Sequence, residues 1–337
     1  MIRSPRARLL MAAASAAALA LTAACGSSDS NSSASGGETV TIGYSAWPGW
    51  FPWQVAEQQG MFEKNGVKVE LKWFDSYTES LNALATGNID ANSQTLNDTL
   101  ASVSGGAKQT VVLVNDNSTG NDQIIAAEGI DTVAGLKGKK VAAEQGTVDH
   151  YLLLLALEQA GLSASDVQFT PLATDAAAAA FVAGKVDAVG VFAPFTTTAL
   201  GRKGSKAVAT SADFPGAIPD HLVFSSEFVE DRPDDVQSIV KTWFDTVEWV
   251  EANKEPANRI MAEKAGVSVA DYRSYDGGTR IFSLAENVDA FRSGSTPANL
   301  DFQAAKIAEF LVGAGLVDEE PPMDGLLDGR FIEELSP

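Results

Sequence analysis

From residue 39 onward the chain alternates short β-rich runs with helical stretches, and this alternation constrains the fold more than any other feature. Residues 39–44, 67–74, 89–93 and 110–115 read as strands. Between them, 53–59, 76–86 and 97–103 read as helices. Pro52 near the first turn and Gly60 at the end bound the first of these helices, and Ser76-x-x-Glu79 has the form of a capping box opening the second. The pattern repeats with strands at 123–127, 141–144, 167–171, 186–192 and 207–210, and helices at 148–160, 175–183 and 195–200. Strands spaced by helices imply parallel βαβ units with right-handed crossovers and helices on both faces. Beyond about residue 222 few strands are expected. Residues 233–252 and 299–313 read as helices, with Trp243, Phe244, Val247 and Val250 at core spacing.

One segment echoes another. Leu81 to Ala91 and Ala178 to Ala188 each read as a helix end, a glycine stop (Gly87, Gly184), an apolar residue, an aspartate (Asp90, Asp187) and an alanine opening a strand. Two lobes built to one plan are the expectation, and some 300 residues suffice for two cores.

Ahead of this body, Arg3, Arg6 and Arg8 precede an apolar run and the small residues Ala23 and Ala24. This is the layout of a signal peptide over 1–24, too short to span a membrane as a helix. The sequence Leu21-Thr22-Ala23-Ala24-Cys25-Gly26 resembles a lipobox, so Cys25 is the expected lipidation site. Cys25 is the sole cysteine of 337 residues, which excludes an internal disulfide. A diacylglyceryl group there would anchor the protein on the extracytoplasmic face of the cell membrane. Residues 25–37 are rich in Ser, Gly and Asn and read as a flexible tether with a reach of about 20 Å. The formal net charge is −20, and about −23 without the signal peptide. Such acidity disfavours nucleic acid as a partner. The chain has two histidines, His150 and His221, and no Ser-His-Asp spacing, phosphate-cradling glycine loop or metal-ligand cluster. No enzyme, metal or cofactor is therefore expected.

Several stretches in order carry a family resemblance. They are Ile42-Gly43-Tyr44 with the Trp47 to Trp53 cluster, Ala56-Glu57-Gln58-Gln59-Gly60-Met61-Phe62 with Gly66-Val67-x-Val69-Glu70, and Ala85-x-Gly87-x-Ile89-Asp90. Further along come Asp131-x3-Gly135-Leu136-Lys137-Gly138-Lys139-Lys140-Val141 and Ala183-Gly184-x-Val186-Asp187-Ala188. With these the chain resembles solute-binding proteins of ABC importers, of the nitrate, sulfonate, taurine and thiamine-precursor group. The resemblance implies an α/β fold of the periplasmic-binding-protein type II, with two lobes, a two-strand hinge and a ligand cleft between them. Lobe 1 would comprise 38–122 and 225–337, and lobe 2 would comprise 123–224, with hinge strands near 121–123 and 221–225. It further implies a monomer that delivers a small molecule to a membrane permease driven by an ATPase. A thiamine-pyrimidine synthase shares this fold and supplies the enzymatic alternative, but its relatives use clustered cysteines that this chain lacks.

Ligands of open α/β lobes sit beyond the C-terminal ends of strands, near helix N-termini. That rule selects Ser45, Trp47, Trp50, Asn97, Asp98, Asp116, Asn121, Glu144, Thr147, Asp149 and Phe192 as binding residues. Phe51 and Trp53 read instead as packing for the first helix, and His150 as a helix-surface residue. The selected loops contain acids and no Lys or Arg. Indole with carboxylate suits a small cation, through cation–π contact and paired N–H bonds. Trp47-Pro48-Gly49-Trp50 with Gly120-Asn121-Asp122 also resembles a branch linked to urea- and guanidine-type compounds. The first expectation is thus a guanidine-, urea- or amine-like solute. The alternative is a sulfonate such as taurine, or nitrate, held by backbone amides at 146–148 or 97–98.

Overall fold

The computed structural model describes residues 37–336. The expected signal peptide, Cys25 and the tether up to residue 36 lie outside the described residues. Along the chain run β1 (Val40–Tyr44), β2 (Val69–Trp73), β3 (Ala91–Thr95), β4 (Gln109–Ser118), β5 (Asp122–Ala126), β6 (Lys140–Ala143), β7 (Gln168–Pro171), β8 (Ala188–Phe192), β9 (Lys206–Thr210), β10 (Pro219–Ser225) and β11 (Thr279–Ile281). They form two sheets. The first has the order β11-β4-β10-β3-β1-β2, and the second β7-β6-β8-β5-β9. Within each, three neighbouring strands are parallel and the fourth is antiparallel: β10 against β3 and β4, and β5 against β8 and β9. The chain passes from the first sheet to the second between β4 and β5, and returns between β9 and β10.

The sequence echo is a structural repeat. Gly87 and Gly184 both take φ 70, the left-handed conformation that favours glycine. Asp90 Oδ2 accepts from Thr41 N at 2.7 Å, and Asp187 Oδ2 accepts from Lys140 N at 2.9 Å. One register step on, Ala91 faces Ile42 and Ala188 faces Val141. Each aspartate thus ties the start of one parallel strand to its neighbour. Strands β2, β1, β3, β10 and β4 of the first sheet then match β7, β6, β8, β5 and β9 of the second.

The segment 219–224, which the sequence reading gave to the second lobe, pairs with β3 and β4 in the first sheet. The return crossing runs through 211–218 and not through 221–225. Strand β11 was not read from the sequence, because three residues carry no periodicity. Around the first sheet, the helix Pro52–Gln58 starts on its proline, and Ser76 Oγ accepts from Glu79 N to cap the helix Tyr77–Ala85. Trp53 is fully buried, with its ring 4.6 Å from Trp243 on the long helix Pro233–Ala252. Its indole donates to Ser93 Oγ at 2.9 Å. Phe51 is equally buried, so both residues are core, as expected. Among the described residues no helix is long and apolar enough to cross a membrane.

Charged-group hydrogen bonds contribute about 1.5–3 kcal/mol when buried. Asp90→Ala is therefore expected to cost about 1–3 kcal/mol in urea denaturation. Asp187→Ala should cost less, because its bond is exposed. Two unaffected variants would show that the repeated aspartates carry no stability.

Candidate ligand-binding cleft

The loop after β1 turns on itself through a Trp50 N to Trp47 O bond of 3.1 Å, which buries both indoles in the cleft between the sheets. Tyr77 opens the helix after β2, and Phe192 closes β8 in the second lobe. These four rings surround one point. Centroid separations run 6.4 Å for Trp47–Trp50, 5.5 Å for Trp50–Tyr77, 6.2 Å for Tyr77–Phe192 and 6.4 Å for Phe192–Trp47. The cavity they line is ≈ 10 Å³, about one water's worth, and is completed by Thr95, Asp122, Ile218 and Asp220 with Ala46 and Val148. Neither lysine nor arginine is among its lining residues.

Carboxyl groups crowd this cavity. Asp98, Asp116, Asp122, Asp149 and Asp220 are each buried to within 2 % of full. Asp116 and Asp220 are register partners across β4 and β10, so their side chains share a face. Burial pushes Asp116 up to about 8, and Asp98 and Asp122 to about 7. Burial also drives Asp149 and Asp220 well above the usual carboxylate range, and the neighbouring acids add to both shifts. One oxygen each of Asp116, Asp122, Asp149 and Asp220 has no hydrogen-bond partner, and neither does Asn97 Oδ1. Despite this density, no three His, Cys, Asp or Glu side chains among the described residues are arranged to hold a metal ion.

Glu144 joins the lobes. Glu144 Oε1 accepts from the hydroxyl and, at 3.4 Å, the backbone N of Thr78 in the first lobe. Its Oε2 meets Thr174 Oγ1 at 2.8 Å and accepts from Thr174 N at 3.3 Å in the second. One carboxylate therefore sits between the N-terminal turns of two helices, Tyr77–Ala85 and Thr174–Val182. Thr174 Oγ1 also lies 2.6 Å from Asp149 Oδ2. Its single hydrogen serves one acid only, so the other contact needs a proton on a carboxyl. Burial, which raises Asp149, favours that proton there. Asp98, in the first turn of the helix Leu96–Ser104, accepts from Thr95 Oγ1 at 2.7 Å.

The residues singled out from sequence divide accordingly. Trp47, Trp50 and Phe192 line the cavity; Asp116 and Asp98 lie one hydrogen bond behind its lining residues Trp47 and Thr95, and Asp149 follows Val148 in the chain. Ser45 is buried in the same loop, and Asn97 donates to Asp98 Oδ1 at 2.8 Å. Glu144 spends both oxygens on the bridge just described. Thr147 donates to Glu144 O at 3.0 Å and shapes the loop. Asn121 departs from the expectation. Its amide donates to Tyr275 O and Thr279 Oγ1, both at 2.7 Å, so it pins the crossing to the 275–279 segment. His150 lies half-buried against Phe169, and His221 is buried in β10 on the face opposite Asp220.

Sequence reasoning missed Tyr77, Asp122, Thr174, Ile218 and Asp220. Asp122 and Asp220 lie at the N-terminal ends of the two antiparallel strands. A rule built on C-terminal strand ends passes over them. An aspartate opening each crossing strand was the available signal.

Residues 33–265 match the family model described as NMT1-like. The chain belongs to the NMT1-like family. A putative binding protein of Brucella abortus (strain 2308) is 28 % identical over 260 residues, 76 % of this chain and 80 % of that protein. A putative aliphatic sulfonates-binding protein of Escherichia coli (strain K12) is 29 % identical over 242 residues, 71 % of this chain and 75 % of its own. Among solved structures, the alkanesulfonate-binding protein from Xanthomonas axonopodis pv. citri bound to MOPS superposes with a TM-score of 0.74. It is 21 % identical, and the match covers 86 % of this chain and 98 % of that one. The fold of this NMT1-like protein is that of periplasmic binding proteins. The desulfurization enzyme DSZB shares it more distantly, with a TM-score of 0.63 at 16 % identity, over 88 % of this chain and 98 % of that one.

Two outcomes are expected of this NMT1-like chain. The buried aspartates bind protons more tightly folded than unfolded, so their contribution to stability is complete below about pH 4, declines as pH rises from there, and is lost by about pH 7 to 8. Thermal melts of ligand-free protein across pH 5–8 check this, and a melting temperature rising with pH would refute it. Separately, a Cβ on Gly49 would lie 1.9 Å from Asp116 Oδ2. Gly49→Ala should displace Asp116 and abolish ligand binding in titration calorimetry.

Proposed function

We propose that this protein is the extracytoplasmic solute-binding component of an ABC importer, a Cys25-anchored monomer that hands a small nitrogenous cation to a membrane permease. Guanidinium is the first candidate. One observation carries the reading: an aromatic ring of four side chains encloses a cavity bordered by unpartnered buried carboxyl oxygens, with no basic side chain lining it. Rings offer their faces to positive charge, and the acids accept N–H bonds. A neutral amide such as urea has the donors but not the charge, and ranks second within this class. The family and the relatives named as binding proteins support capture over turnover.

A sulfonate such as taurine, or nitrate, is the second reading. It is favoured by the relative named for aliphatic sulfonates. Against it stands electrostatics: an anion would enter a cavity lined by Asp122 and Asp220 with no basic side chain beside them. A thiamine-pyrimidine precursor, or synthase-like chemistry, has less support, because the sole cysteine is Cys25.

Titration calorimetry with guanidinium, urea, taurine and nitrate separates these readings. Guanidinium is expected to bind, with taurine and nitrate silent. Tight taurine or nitrate binding beside a silent guanidinium would reverse the assignment. Trp50→Ala should weaken guanidinium binding about 2- to 30-fold, the range of a cation–π contact of about 0.5–2 kcal/mol. Unchanged affinity together with a large drop in melting temperature would make Trp50 a packing residue only.

A further inference from the structure

We propose that the cleft takes up its cation only in exchange for a proton that Asp116 and Asp220 hold between them. The inference rests on the cation reading above and adds a linkage to it. Asp116 and Asp220 are register partners across β4 and β10, with both carboxyls buried on one face. Two carboxylates only accept and repel when buried side by side, so the pair is held together by a proton on one. Trp47 Nε1 donates to Asp116 Oδ1 at 2.9 Å and holds that group in place. Oδ2 of each aspartate has no partner, and Asp220 lines the cavity directly. The pair is thus fixed, buried and open to a ligand on its free oxygens.

Among the described residues, the titratable groups facing the pair bring no positive charge. Asp122 faces the pair from β5, Asp98 from the helix Leu96–Ser104, Tyr77 from the helix Tyr77–Ala85 and Tyr272 from the helix Val269–Ser274. His221 follows Asp220 but lies on the opposite face of β10, and burial holds it neutral. When a guanidinium enters, the O–H bond of the pair breaks and the proton leaves to solvent. The oxygens it bridged then accept N–H bonds from the ligand. One positive charge leaves and one arrives, so the net charge of the closed cleft does not change. A neutral solute could not make this exchange.

The test is calorimetry of guanidinium chloride into the full-length protein at pH 7, at fixed ionic strength, in buffers of different ionisation enthalpy. About one proton released per guanidinium bound is expected, with affinity falling about tenfold per pH unit between pH 7 and 5. Asp220→Asn keeps the shape of a protonated acid and cannot release its hydrogen. It should bind more weakly, release close to no proton and lose the pH dependence. Binding with no proton released and equal affinity at pH 5 and 7 would overturn the exchange and leave the cation reading intact. So would an Asp220→Asn variant that releases protons as the unmodified protein does. Failure of guanidinium to bind in any buffer would overturn both. The proton count of the unmodified protein decides the matter even where the variant does not fold.

Discussion

Five buried aspartates without a basic partner set the terms on which the cleft of this protein exists. An unpaired buried carboxylate costs several kcal/mol, and a whole domain is stable by only about 5–15 kcal/mol. Five ionised acids would exceed that margin, so burial favours their protonated forms. The aromatic ring follows from the same constraint. Indole and phenyl faces are the uncharged surfaces that tolerate positive charge and exclude water together. Glu144 differs in kind. It meets four donors on two helix N-termini and serves closure without being spent on ligand.

The fold was largely legible because its signals are local. Strand and helix periods, Pro52, Gly60, Ser76 and the two Gly-x-apolar-Asp-Ala turns each act within a few residues, and most elements up to residue 252 followed from them, whereas the helices Lys254–Ala265 and Leu284–Phe291 did not. What did not follow was the partner of each strand. The sequence of β10 does not say that it inserts between β3 and β4, and this misplaced the lobe boundary at 224. Three-residue β11 exists because β4 offers it an edge, a condition set elsewhere in the chain.

The site was legible by halves for a related reason. Trp47, Trp50, Asp98, Asp116, Asp149 and Phe192 sit where parallel strands end, and a rule about parallel strands finds them. Asp122 and Asp220 reach the same point from strands running the other way. Asn121 looked like their companion by position, yet its amide is consumed by Tyr275 and Thr279. Polarity in a loop near the cleft identifies candidates, and only the accounting of hydrogen bonds separates those free for a ligand from those already committed.

The placement of β10 has a consequence in time as well as in space. Every strand of the second sheet lies between residues 122 and 210, whereas the first sheet lacks its middle strand until residues 219–225 arrive. Synthesis runs from the N-terminus, so the inserted lobe has its full complement of strands first. Meanwhile β3 and β4 present unpaired edges of the kind that recruit stray strands. The lobe that begins the chain is thus the last to be finished, and the window before β10 docks is when a nascent chain of this design is most exposed to misassembly.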